Sequence, residues 1–135
     1  PTFIILPNND SGYVEIIKKI KLSNYKWTTT LSIDEYKTIL KKCAFVIGNS
    51  SSGIHEAATY KKPVINIGTR QNNRERGMNI IDVKPKKLLI YKAIMHQMRK
   101  GRYRKSTRFG QGNAGMKIAN ILSKVNVKIQ KELKY

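Results

Sequence analysis

The chain has one cysteine, Cys43, so no disulfide can form within it. Acidic residues are scarce, eight against 27 Lys and Arg, and the net charge is +19. Aromatics are few beyond tyrosine: three Phe and one Trp. No apolar run reaches the length of a membrane span and no secretory signal is visible. With no disulfide, signal or span, the expected setting is the cytosol. No internal repeat or low-complexity block occurs. The chain opens at Pro1 rather than Met, as expected of a fragment or a processed chain.

At 135 residues the sequence has room for one domain with a real core. Its charge is uneven. Residues 84–135 hold 15 Lys or Arg and one acid, Glu132, whereas residues 1–83 hold 12 basic and seven acidic residues. So basic a tail raises the possibility of a nucleic-acid-binding module. The tail has no zinc-ligand spacing, no RNP-like aromatic block and no helix-turn-helix pattern, so a lysine-rich solvated helix face accounts for it better. Nucleic acid is not the expected partner.

Short apolar strands alternate with helical patterns. Phe3 to Leu6, Lys26 to Leu31, Phe45 to Ile47, Val64 to Ile67 and Asn79 to Val83 read as strands. Helices are expected over Tyr13–Leu22, from Ser32 through Cys43, over Ser51–Tyr60, from Pro85 at N1 with Leu88, Leu89, Tyr91, Ile94, Met95 and Met98 on its apolar side, and over Gly112–Leu133. Asp10 or Ser11 is the expected N-cap of the first helix. Ser32 and Glu35 form the S-x-x-E capping box of the second. Cys43 is expected in the core. Gly101 to Arg108 reads as a basic, polar linker. This alternation predicts an α/β fold, a three-layer Rossmann-like parallel sheet covered by helices on both faces. Ligands then lie at the carboxyl ends of the strands, and the turns Pro7–Gly12, Leu31–Ser32, Gly48–Ser52 and Gly68–Arg70 are expected to meet on one edge.

The stretch Gly48-Asn49-Ser50-Ser51-Ser52-Gly53-Ile54-His55-Glu56 joins a strand to a helix. A helix N-terminus offers free N–H donors and partial positive charge, which favour anions. Ser50 to Ser52 add hydroxyls, and a carboxylate at Glu56 can accept bonds from two sugar hydroxyls. Taken alone, this stretch is equally an ordinary capping turn, with Glu56 a first-turn acid. Further on, Arg70, Arg74 and Arg76 place three guanidinium forks within seven residues. Such forks suit phosphate oxygens, or a solvated basic loop.

The blocks GNSSSGIHEA and KPVINIGTRQNNRERGMNIIDV, preceded by Pro7-Asn8-Asn9-Asp10-Ser11-Gly12, resemble the C-terminal half of the UDP-N-acetylglucosamine 2-epimerase family. The closer likeness is to its hydrolysing, N-acetylmannosamine-forming branch, which feeds sialic acid synthesis. The resemblance runs from Leu6 to Val83, with a weaker echo at Gly110-Gln111-Gly112-Asn113-Ala114. It departs at Asn73, where the family's RQ-x-x-R-x-x-G run commonly has Gly. It implies the C-terminal lobe of a glycosyltransferase-B-like, two-lobed enzyme, here one incomplete nucleotide-binding domain over residues 1–135 without its N-terminal catalytic domain.

By that resemblance UDP is held by Asn8, by Leu31 and Ser32 at the uracil, and by Ser50, Ser51, Glu56 and Arg70. The implied chemistry is elimination of UDP, then hydration of the glycal. The carboxylates that move protons would lie in the missing part, and neither His55 nor His96 matches the family's important histidine. A structural role is the expectation for His55, and an exposed or half-buried position for His96. No cofactor or metal is implied, and a homo-oligomer is expected of the whole enzyme. A nucleotide-sugar glycosyltransferase lobe is the competing enzymatic reading, since such lobes carry a comparable Glu. The Gly68-Thr69-Arg70-Gln71 block favours the epimerase.

Overall fold

The computed structural model describes residues 1–126, so Val127 and Ile129 of the expected closing helix lie outside them. The described residues form two compact units, Pro1–Cys43 and the part from Ala44 onward.

In the first unit, β1 (Phe3–Ile5) pairs in parallel with β2 (Lys26–Thr28), Ile4 opposite Trp27. The connecting helix α1 (Tyr13–Lys21) is capped not by Asp10 or Ser11 but by Gly12. Gly12 has φ 83°, a left-handed conformation in which a side chain would be strained. The turn is closed by backbone instead, Tyr13 N–H donating to the Asp10 carbonyl at 3.1 Å. Val14 and Ile16 on α1 stay exposed, because two three-residue strands offer little surface to bury them. Helix α2 (Ile33–Lys42) starts as its sequence dictates. Ser32 N–H donates to Glu35 Oε2 at 2.8 Å and Glu35 N–H to Ser32 Oγ at 3.3 Å, a complete capping box. Leu40 is buried, while Cys43 ends the helix half-buried rather than in the core.

In the second unit, β3 (Val46–Gly48), β4 (Val64–Ile67) and β5 (Ile80–Val83) form a parallel sheet in that order. Central β4 is the most buried strand, as flanking on both sides requires: Val64, Ile65 and Asn66 are all buried. Between β3 and β4 the chain is helical, but in two four-residue pieces, α3 (Ser51–Ile54) and α4 (Glu56–Thr59). The single helix expected over Ser51–Tyr60 is interrupted at His55, whose N–H is shared between the carbonyls of Ser51 and Ser52. Ile54 and Ala57 are fully buried, and each apolar side chain of Ile size so buried contributes about 1.5–3 kcal/mol.

Helix α5 (Lys87–Lys100) begins two residues after Pro85, with Lys86 as N-cap, so Pro85 is not its first residue. Its buried residues are Ala93 and Gln97, while Leu88, Tyr91 and Met98 are exposed. The face against the sheet is set by hydrogen bonding as well as by grease. Gln97 Nε2 donates to Val64 O at 2.8 Å and to Asn79 O at 3.1 Å, and Gln97 Oε1 accepts from Tyr103 Oη at 2.9 Å. That amide satisfies two buried carbonyls of neighbouring strands, a task Leu or Met cannot do.

The expected linker, 101–108, is tied down. Tyr103 N–H donates to Lys61 O at 3.2 Å and Ser106 N–H to Ala58 O at 3.3 Å, so the segment lies along α4. Helix α6 (Ala114–Leu122) follows, with no buried residue. Among the described residues no helix is long and apolar enough to cross a membrane.

Candidate functional site

In the first unit, Asn8 lies in the turn after β1, and Leu31 and Ser32 follow the end of β2. Because β1 and β2 are parallel and adjacent, both turns sit at the carboxyl edge of that sheet. Asn8 is exposed and Leu31 half-buried. Ser32 is occupied by its helix: its Oγ accepts from Glu35 and its N–H donates to the Glu35 carboxylate. Hydrogen bonds from the Ser32 side chain, then from its backbone N–H, lower the Glu35 pKa below the ordinary 4.5.

In the second unit, β3 ends at Gly48, whose φ of 148° suits a residue without a Cβ. The chain then turns through Asn49 into α3. Ser50 is the N-cap of α3, its Oγ accepting from Ser52 N–H at 3.3 Å, and Ser51 opens the helix half-buried. Glu56 stands exposed in the first turn of α4.

The loop after β4 comes back to this turn. Arg70 Nη1 donates to the Asn49 carbonyl at 3.3 Å, and buried Gln71 donates from Nε2 to the same oxygen at 2.8 Å. One carbonyl on the residue before Ser50 therefore anchors the loop, and Arg70 and Ser50 become neighbours although 20 positions apart in sequence. Gln71 Oε1 is buried with no partner among the described residues.

The three arginines of the loop differ. Arg76 is committed to the protein: it pairs with Asp82 on β5, donates from Nη2 to Gln71 O, and donates from Nε to Arg74 O at 3.2 Å. Asp82 is also held by Asn66 Nδ2 at 2.7 Å. Arg70 and Arg74 remain exposed. Asn73, where the resembling run has Gly, takes φ 62°. Asn tolerates the left-handed region better than other non-glycine residues, so the loop keeps a glycine-like bend.

Two features of this unit escaped the sequence. Arg74 Nη1 lies 3.4 Å from His55 Nε2, and the Phe109 ring meets the His55 ring at 4.5 Å between centroids. No local pattern joins residues so far apart. His96 is exposed, on the rim of a hollow of about 670 Å³ against β5 and α5, lined by Ile81, Val83, Lys84, Leu89 and Lys92 among others. None of the seven candidate residues lines that hollow, which is shallow and open. Among the described residues no three His, Cys, Asp or Glu side chains come together as metal ligands would.

The fold defines the class first: an α/β protein of Rossmann-like parallel sheets with helical crossovers. The family model described as UDP-N-acetylglucosamine 2-epimerase matches residues 1–123, and the chain belongs to that family. It is 36% identical over 112 residues, 81% of its length, to a UDP-N-acetylglucosamine 2-epimerase of Neisseria meningitidis, covering 30% of that protein. It is 39% identical over 97 residues, 68% of its length, to the polysialic acid biosynthesis protein P7 of Escherichia coli, covering 25%. It is 32% identical over 123 residues, 88% of its length, to the hydrolysing UDP-N,N'-diacetylbacillosamine 2-epimerase of Legionella pneumophila, covering 33%. The chain thus spans a third or less of the length of these curated relatives.

Proposed function

We propose that the chain is the UDP-binding, C-terminal part of a hydrolysing UDP-N-acetylglucosamine 2-epimerase, which converts UDP-N-acetylglucosamine to N-acetylmannosamine and UDP. The observation that carries this reading is the bond from Arg70 Nη1 to the Asn49 carbonyl, which sets a guanidinium beside the Ser50 cap. The diphosphate of UDP would lie there, its oxygens taken by Arg70 and by the hydroxyls of Ser50 and Ser51. Glu56 would accept the ribose hydroxyls. Asn8, Leu31 and Ser32 of the first unit are nucleotide contacts by the family resemblance.

Negative charge grows on the diphosphate as its bond to the sugar breaks. Donors fixed at that point favour the transition state over the ground state. Elimination also needs a base to take the sugar proton and an acid for the departing oxygen. Those groups would belong to the remainder of the enzyme, so the chain alone binds UDP weakly at most and does not turn over. Its whole partner set would then be a UDP-sugar and a second copy of the full enzyme, in the cytoplasm.

Calorimetric titration with UDP and with uridine tests the reading, alongside an assay for N-acetylmannosamine release. Binding of UDP well above uridine, with no release, is expected. Release of N-acetylmannosamine by these 135 residues alone would refute the assignment of the proton-moving groups to another part. Equal binding of UDP and uridine would refute the diphosphate seat.

A further inference from the structure

Residues 103–109 run back along α4 to His55 in the opposite direction. Tyr103 bonds to Lys61, Ser106 to Ala58, and Phe109 rests on His55. Every three residues of this strap thus climb about one turn of helix. It arrives at His55, the residue that joins the end of α3 to α4. There Arg108 Nη1 meets Glu75 Oε1 of the loop after β4 at 2.5 Å. The strap is therefore fastened both to the helix and to the arginine loop.

His55 lies between the two. Its N–H bonds to the carbonyls of Ser51 and Ser52, one turn back. Its Nε2 faces Arg74 Nη1 at 3.4 Å, and Phe109 packs on its ring at 48° between planes. A guanidinium only donates, so a hydrogen bond here uses the facing ring nitrogen as acceptor. One N–H of Arg74 is used in this contact, which leaves the rest of its fork for an anion. Arg76, by contrast, is spent on Asp82 and the loop backbone.

We infer that Arg74 is a second arginine of the diphosphate seat, and that His55 and Phe109 are positioning residues that hold its guanidinium toward the start of α3. The inference rests on the UDP reading above and deepens it. Arg70 is anchored through the turn before the helix and Arg74 through the helix interruption after it. The anchors are independent, and the two residues that hold them, Asn49 and His55, flank Ser50–Ser52 in sequence. The strap, which reads as a linker, becomes part of the binding site through Phe109.

The test uses the 135-residue chain and the variants His55→Gln, His55→Leu, Phe109→Leu and Arg74→Ala, each checked for folding by urea denaturation. Gln presents a carboxamide oxygen near the place of Nε2 and is expected to keep UDP affinity within about twofold. His55→Leu and Phe109→Leu are expected to weaken UDP about five- to tenfold, the worth of one displaced charge-assisted contact, without changing uridine. That loss should vanish when Arg74 is already Ala, since the positioned group is gone. Equal losses with and without Arg74, or lost stability with unchanged UDP affinity, overturn the inference. Inorganic pyrophosphate, followed on the His55 ring by NMR, separates the two claims. A shift of the ring signals by pyrophosphate in a chain that ignores UDP supports the arginine pair and sinks the UDP reading. UDP binding that His55→Leu and Phe109→Leu leave untouched sinks the pair and keeps the UDP reading. Silence toward both ligands overturns both.

Discussion

Arg76 and Asp82 form an ion pair that ties the loop after β4 to the middle of β5. The same guanidinium also takes the carbonyls of Gln71 and Arg74, so it fixes the backbone at Arg74 and three residues before it. An arginine that a composition-based reading would offer to phosphate is instead part of the loop's frame.

Arg76→Ala should therefore cost stability before it costs binding chemistry. A half-exposed pair is worth up to about 1 kcal/mol, and each of the two lost backbone contacts adds about 1 kcal/mol, so about 2–3 kcal/mol in urea unfolding is expected. Arg70→Ala gives up its own contact with the Asn49 carbonyl, so a smaller loss of about 1 kcal/mol in urea unfolding and about tenfold weaker UDP binding are expected.

Gln97→Leu keeps the volume and removes the amide. The carbonyl of Val64 then loses its side-chain donor in a buried place, and Asn79 keeps only the Val64 N–H. A loss of about 1–3 kcal/mol is expected from chemical denaturation. Tyr103→Phe removes one bond to Gln97 Oε1 and should cost less, about 0.5–1.5 kcal/mol.

The capping box at Ser32 sets a pH dependence. The Glu35 pKa is lowered in the folded chain, so its carboxylate binds protons less readily than in the unfolded chain. Its stabilising contribution is fully present above the ordinary value of 4.5 and is lost as pH falls through the lower folded value. Ser32→Ala should destabilise the first unit by about 1 kcal/mol at neutral pH. The gap between variant and parent should shrink on acidification below that range, as followed by helix signal in NMR or circular dichroism.

Much of this molecule is legible in its sequence where the cause is local. Val64 to Ile67 is a run of branched apolar residues and one Asn, and it is β4 without correction. Ser32 to Glu35 carries its own cap. The failures have distant causes. Gly101 to Arg108 reads as linker because its partners, Lys61 and Ala58, are some 40 positions upstream. The face of α5 is mistaken because Gln97 is chosen for two carbonyls rather than for hydrophobicity. Residues Ser51 to Tyr60 look like one helix because nothing local announces the interruption at His55. Of the candidate site, Ser50 and Arg70 are legible through turn chemistry and family blocks, whereas the carbonyl of Asn49 that joins them is a backbone group and carries no sequence signal.

A crystal structure of the chain grown with UDP tests the central claim most directly. The expected result is the diphosphate within hydrogen-bonding distance of the Ser50 and Ser51 hydroxyls and the Arg70 guanidinium. A diphosphate bound instead among Lys84, Lys86 and Lys92 in the hollow beside β5 and α5, with the serine turn bare, would contradict it.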